Sequence, residues 1–178
     1  MNSRRLRLFA VGCIVAAVAI LIDQATKAAA LSALSETDRI RLVGDLLGLQ
    51  LAFNPGAILS LGSGVTWLLT LLGVGAVVLI LIATTRARTA ITAVALGLIL
   101  GGAVGNLIDR LFAPPAFGRG HVVDFLAYGD LFIGNLADVA LGAGVILLLI
   151  DTFRRRRTAS QSVDDARSEA QSTIEVEK

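Results

Sequence analysis

The chain has 178 residues, of which 55% are hydrophobic and 17% are charged, and its formal net charge is +2. Soluble domains carry about 25% charged residues, so this composition excludes an ordinary soluble domain and indicates a membrane protein. The small positive charge is carried largely by arginines beside apolar segments, which argues against a nucleic-acid-binding surface.

Four apolar segments are long enough to cross a bilayer, which requires about 20 mainly apolar residues. They lie near 8–31, 65–83, 90–108 and 134–151. The sequence therefore predicts an all-α membrane protein, a four-transmembrane-helix bundle that forms one domain over residues 1–153. The segment 154–178 is polar and lacks apolar periodicity, so it is predicted to be a disordered cytoplasmic tail.

The arginines indicate an orientation, because cytoplasmic loops next to membrane spans are enriched in basic residues. More than half of the 16 basic residues lie before the first span, between the second and third, or after the fourth: Arg4, Arg5, Arg7, Arg86, Arg88 and Arg154 to Arg157. This pattern predicts that both termini are cytoplasmic and that the other two loops face outward.

The first of these outward, periplasm-facing loops has the pattern of a small β-sheet. Polar and apolar residues roughly alternate over 39–43, and a second apolar run over 46–53 ends at the turn sequence Asn54-Pro55-Gly56. The second outward loop contains two prolines and two glycines, and it is predicted to be irregular up to Val122.

Ionisable side chains within membrane spans are costly, so they tend to mark pairing or function. Asp23 and Lys27 are four residues apart on one helix face and predict a local ion pair, either structural or supporting a site. At the end of the third span, Arg110 is predicted to pair with Asp109, although its planar guanidinium also suits carbonyl or carboxylate ligands.

Two further acids have both a structural and a chemical interpretation. Asp124 is flanked by large apolar residues, which would favour its protonated form, although an aspartate in a loop is more often simply exposed to water. Asp138 begins the fourth span, where it could complement the helix dipole behind an Asn135 cap. Two such acids at close range would share a proton, as in an aspartic protease.

Five segments, taken in order, resemble the lipoprotein signal peptidase (signal peptidase II) family over roughly residues 8–150. They are Asp23-Gln24-Ala25-Thr26-Lys27, Asn54-Pro55-Gly56-Ala57, Gly101-Gly102-Ala103-Val104-Gly105-Asn106-Leu107-Ile108-Asp109-Arg110-Leu111, Val122-Val123-Asp124-Phe125 and Asn135-Leu136-Ala137-Asp138. The third segment is the most specific of the five.

The resemblance implies an aspartic endopeptidase of the bacterial cytoplasmic membrane with its active site near the outer face. It would cleave diacylglyceryl-modified prolipoproteins on the amino side of the lipidated cysteine. Asp124 and Asp138 would be catalytic. The residues that bind substrate or support the site would be Asp23, Lys27, Asn54, Gly56, Gly102, Asn106, Arg110 and Asn135. Two positions depart from the family pattern: Leu59 and Gly134 stand where aromatic residues are usual.

This interpretation implies lipid-modified signal peptides and membrane lipid as partners, and no cofactor, metal or nucleic acid. His121 is the only histidine, which disfavours a zinc protease. The alternatives are a small transporter or proton-linked channel that uses Asp23, Lys27 and Asp124, and a non-enzymatic scaffold.

Overall fold

The computed structural model describes residues 3–56 and 63–176, so Leu59 lies outside the described residues. The described residues form four helices, α1 (Ser3–Ala33), α2 (Thr66–Thr85), α3 (Ala90–Phe112) and α4 (Leu136–Val176), and a short 3-10 turn (Ser63–Val65) precedes α2. Each contains a stretch long and apolar enough to cross a membrane, which in α4 is Leu136–Arg155. The predicted four-helix membrane fold is confirmed.

The end of α4 differs from the expected disordered tail over 154–178, because the helix continues to Val176. No glycine or proline interrupts the chain after Gly144, and Ala, Arg, Gln and Glu are frequent there. A helix that is already nucleated extends at little cost through such residues. Polarity alone therefore did not determine the backbone conformation of this segment.

Helix α3 is the centre of the bundle, since it packs against α1, α2 and α4 and also against β3. Small residues allow this close packing. A Cβ added at Gly97 would lie 2.6 Å from the carbonyl oxygen of Gly12, and one added at Gly101 would lie 2.6 Å from Cβ of Ala19. Such contacts between helix backbones are typical of membrane bundles. By contrast, α2 leaves many large apolar side chains exposed, as expected of a lipid-facing surface.

The sheet has four antiparallel strands in the order β1 (Ile40–Val43), β2 (Leu47–Asn54), β3 (Val122–Tyr128) and β4 (Phe132–Gly134). The prediction that the sheet belongs to the first outward loop was incomplete, because β3 and β4 come from the second loop. Strand β3 is buried almost throughout, so it lacks the alternating pattern that reveals a half-buried strand. The pairing aligns Ala52 with Asp124, which places this acid on a strand and not in a loop.

A small apolar cluster fixes the sheet onto the end of the bundle. Ala30 of α1, Leu51 of β2 and Val123 and Phe125 of β3 are buried together. Because Val123 and Phe125 flank Asp124 in the sequence, the same packing that attaches the sheet also holds this carboxyl group in place.

Candidate functional site

Asp124 lies on β3 with only 3% of its surface exposed. Its Oδ1 accepts a hydrogen bond from Nδ2 of Asn135 at 2.6 Å, and Asn54 also hydrogen-bonds to the carboxyl group. Burial, followed by the charge of Asp138, raises the pKa of Asp124 to about 7 against the partial opposition of Asn135, Asn54 and Lys27. A carboxyl group in this setting can keep its proton near neutral pH.

Asp138 lies in the first turn of α4 and, unlike Asp124, has an exposed side chain. Its Oδ2 accepts the backbone N–H of Asn135 at 3.2 Å, and its own N–H donates to Oδ1 of Asn135 at 3.0 Å. This reciprocal pair is a capping box. The other oxygen, Oδ1, accepts Nδ2 of Asn106 at 3.0 Å. Asp138 therefore caps the helix and also faces the site.

Two asparagine side chains connect the acids. The Nδ2 of Asn135 donates both to Asp124 and to Oδ1 of Asn106, the latter at 3.1 Å. Since Asn106 in turn donates to Asp138, a continuous chain of hydrogen bonds runs from one carboxyl group to the other. The two amides therefore link the positions of the two carboxyl groups.

A buried ion cluster lies behind these amides. The Nζ of Lys27 is 2.9 Å from Oδ2 of Asp23 and 2.7 Å from Oδ2 of Asp109, and it donates to Oδ1 of Asn106 at 2.9 Å. All three charged side chains are at least nine-tenths buried. The predicted Asp23–Lys27 pair is confirmed, and it forms part of a larger network.

The two acids of this cluster also bind the backbone on either side of the site. Asp109 accepts the N–H of Val123, next to Asp124 in the chain, at 3.1 Å. Asp23 accepts the N–H of Ala137, next to Asp138, at 3.0 Å. The ion cluster thus fixes both β3 and the start of α4 relative to helices α1 and α3.

The predicted pairing of Arg110 with Asp109 is wrong, because Lys27 occupies that carboxylate. The other interpretation, a guanidinium that binds carbonyl oxygens, is confirmed. The guanidinium donates to the carbonyl oxygens of Pro55 and Gly56. The side chain of Asn54 accepts the N–H of Gly56 at 2.9 Å, which shapes the same turn. Arg110 therefore holds the loop after β2 against α3. This contact joins residues far apart in the chain, so it depends on the tertiary structure.

These residues surround a cavity of about 790 Å³ at one end of the bundle. Seven of the predicted site residues line it: Asn54, Gly56, Asn106, Arg110, Asp124, Asn135 and Asp138. Much of the remaining lining is apolar, including Phe53, Val122, Phe132 and Leu141. The cavity can therefore hold a partly apolar ligand beside two carboxyl groups.

Three other predicted residues, Asp23, Lys27 and Gly102, are packed outside this lining. A Cβ on Gly102 would collide with the carbonyl oxygen of Ala137, so this glycine lets α4 begin close to α3. Asp23 and Lys27 act on the site through the hydrogen bonds described above.

Gln24 and Asp109 stand in the motifs that carry the family resemblance, but neither was predicted to be a site residue. The side-chain amide of Gln24 donates to Asp23, to Asp109 and to the carbonyl oxygen of Gly105, each at 3.2 Å. The sequence carried one signal, since Asp109 follows Asn106 by three residues and lies on the same face of α3.

Fold and site together define a class: a multi-pass membrane protein with a carboxyl-containing cavity at one end of its bundle. The signal peptidase (SPase) II family matches residues 15–154 of the chain. A lipoprotein signal peptidase from Leifsonia xyli subsp. xyli is 46% identical over 142 residues, covering 79% of this chain and 66% of that protein. Another, from Bifidobacterium longum subsp. infantis, is 43% identical over 165 residues, and the match covers 90% of each of the two chains.

A solved bacterial membrane enzyme has a similar structure, with a TM-score of 0.71 at 26% identity over 80% of this chain and 87% of that one. The chain belongs to the signal peptidase II family. It is accordingly a bacterial membrane peptidase that removes signal peptides from prolipoproteins.

Proposed function

We propose that the peptidase is an aspartic endopeptidase, with Asp124 and Asp138 as its catalytic pair. The observation that carries the proposal is the chemical difference between two carboxyl groups lining one cavity. Asp124 is buried, with a pKa raised to about 7, whereas Asp138 is exposed and accepts hydrogen bonds at both oxygens. An acid and a base set apart by their surroundings are what amide hydrolysis requires.

In the proposed reaction, Asp138 takes a proton from a water molecule as the water oxygen attacks the scissile carbonyl carbon. Asp124 gives its proton to the carbonyl oxygen, which produces a neutral gem-diol. Asp138 then gives its proton to the amide nitrogen, while Asp124 takes a proton from one hydroxyl of the diol, and the C–N bond breaks to give a carboxylic acid and a free amine. Asp124 is again protonated and Asp138 ionised, so protons balance over one cycle.

The cavity suits an extended peptide that follows the apolar segment of a signal sequence. Its apolar lining residues, Phe53, Val122, Phe132 and Leu141, can contact apolar side chains, while the amide groups of Asn54 and Asn106 offer hydrogen bonds to a peptide backbone. The site is at helix ends beside a sheet, where backbone and water can meet without exposing polar groups to the hydrocarbon core.

The substrate in this proposal is a prolipoprotein already carrying diacylglycerol, cut on the amino side of the lipidated cysteine. The acyl chains remain in the bilayer while the peptide enters the cavity. The arginine-rich end of the bundle faces the cytoplasm, as basic loops usually do. The cavity is at the other end and therefore faces outward, where diacylglyceryl cysteine would lie at the membrane surface.

The test is cleavage of a diacylglyceryl-modified precursor peptide by the purified full chain in detergent, with the products identified by mass spectrometry. We expect a single cut before the lipidated cysteine. Asp124→Asn and Asp138→Asn should each lower kcat by roughly 10²-fold to 10⁴-fold, because one partner in proton transfer is lost. Asp45→Asn is a matched control, since Asp45 is 87% exposed and pairs only with Arg41 among the described residues.

Normal cleavage by Asp138→Asn would show that this residue only caps α4 and that the catalytic pair is wrong. Equal cleavage of the unmodified precursor would instead leave the pair intact and remove the requirement for the lipid. The two parts of the proposal can therefore fail separately.

A further inference from the structure

A second pocket, of about 340 Å³, is lined by Arg4, Arg5, Leu8, Ala87 and Arg88. Arg4 and Arg5 lie in the first turn of α1, whereas the site residue Lys27 is close to its other end. A helix rises about 1.5 Å per residue, so roughly 30 Å of membrane-crossing helix separates this pocket from the cavity. The pocket is a feature of the opposite end of the bundle and is not explained by peptide cleavage.

The charge of this pocket is uncompensated among the described residues. Three guanidinium groups line it and no carboxylate does, and none of the ion pairs found in the described part of the chain includes Arg4, Arg5 or Arg88. The buried acid at the same end, Asp151, is bound by Arg155 and by the hydroxyl groups of Thr89 and Thr92. That carboxylate is therefore already occupied. An anionic group from outside the chain would complete the pocket.

The apolar part of the pocket indicates what kind of anion fits. Leu8 and Ala87 contribute its uncharged wall. Arg4, Leu8 and Val11 are spaced at i, i+4 and i+7, so they share one face of α1. Val11 is 37% exposed, which continues an accessible apolar surface from the pocket toward the membrane interior. A molecule that carries both a phosphate and an acyl chain can contact the arginines and the apolar surface together, whereas a free phosphate would contact only the arginines.

We propose that this pocket binds the phosphate of an anionic phospholipid, whose acyl chain lies along the Leu8–Val11 face of α1. Arginine forks bind phosphate oxygens in pairs, and basic pockets at membrane helix ends are suited to lipid headgroups. The lipid fastens the start of α1 to the connection between α2 and α3. It thereby steadies the end of the bundle that the catalytic network does not reach.

The experiment titrates phosphatidylglycerol into the detergent-solubilised full chain and counts bound lipid by native mass spectrometry. Phosphatidylcholine and inorganic phosphate are titrated in parallel. We expect saturable binding of one phosphatidylglycerol, at least tenfold weaker binding of phosphatidylcholine, and no competition by inorganic phosphate at the same concentration. Removing one arginine should weaken binding roughly fivefold, and Arg5→Gln/Arg88→Gln roughly 25-fold.

The matched control is Arg86→Gln/Arg157→Gln, which removes the same charge from exposed positions at the same end that do not line the pocket. It should change affinity by less than threefold. If both double variants lose the same affinity for phosphatidylglycerol, binding depends only on general surface charge, and the proposed lipid site is wrong. Displacement by inorganic phosphate would assign the site to a free anion. If the double variant does not fold, Arg88→Gln alone against Arg86→Gln gives the same comparison.

Discussion

Asn135 and Asp138 exchange two hydrogen bonds at the start of α4, with N···O distances of 3.0 and 3.2 Å. The exchange satisfies backbone N–H groups that a helix start would otherwise leave unpaired. The same two side chains also reach Asp124 and Asn106. The same side chains therefore cap α4 and form the proposed catalytic site. Substitutions are needed that affect the helix cap and the chemistry differently.

Asp138→Asn and Asp138→Ala should make that separation. Asparagine can still accept the N–H of Asn135, so we expect the midpoint of thermal unfolding to change little while cleavage is lost. Alanine removes acceptors for both Asn135 and Asn106 and should cost about 1 kcal/mol per bond as well as activity. Thermal unfolding in detergent and peptide cleavage, measured on the same preparations, check both expectations.

The raised pKa of Asp124 predicts a pH dependence of both activity and stability. Cleavage should decline above pH 7, as the proton that Asp124 donates is lost. The folded-state pKa of Asp124 exceeds its ordinary value of 3.8, so its contribution to stability is full below about pH 4 and is lost as the pH rises through 7. Asp124→Asn should flatten this part of the stability profile, measured by thermal unfolding from pH 4 to 8. An unchanged profile would contradict the assignment.

Lys27→Met should strongly destabilise the protein, because it leaves Asp23 and Asp109 buried without their cation. Breaking a buried ion pair in this way typically costs about 3–5 kcal/mol. The exposed Arg41, which pairs with Asp45, is the control, and Arg41→Met should cost less than about 1 kcal/mol. If Lys27→Met proves as mild as the control, the cluster is not what holds β3 and α4 together.

Gly101→Ala tests the close packing of α3 on α1. The added Cβ would meet Cβ of Ala19 at 2.6 Å and the carbonyl oxygen of Ala16 at 2.8 Å, so the helices must separate, at a cost of about 1–3 kcal/mol. Gly75→Ala on α2 has nothing within 4 Å of the new Cβ and should be neutral or slightly stabilising. Similar unfolding midpoints for the two variants would contradict the packing described here.

The sequence by itself determined the features that depend on composition and short-range spacing. Long apolar runs gave the four membrane helices, and the i, i+4 spacing gave the Asp23–Lys27 pair. The turn at Asn54-Pro55-Gly56 was equally readable, because its conformation depends on local backbone preferences. The family resemblance rested on ordered motifs and needed no coordinates.

Only the tertiary structure decided which distant groups meet. Three contacts join residues far apart in the chain: the pairing of β2 with β3, the ion pair of Lys27 with Asp109, and the hydrogen bonds from Arg110 to the loop at 55–56. No periodicity encodes such contacts, because they result from the packing of whole helices. The burial that raises the pKa of Asp124 is likewise a property of the assembled fold, since the same residue in an isolated strand would be fully hydrated.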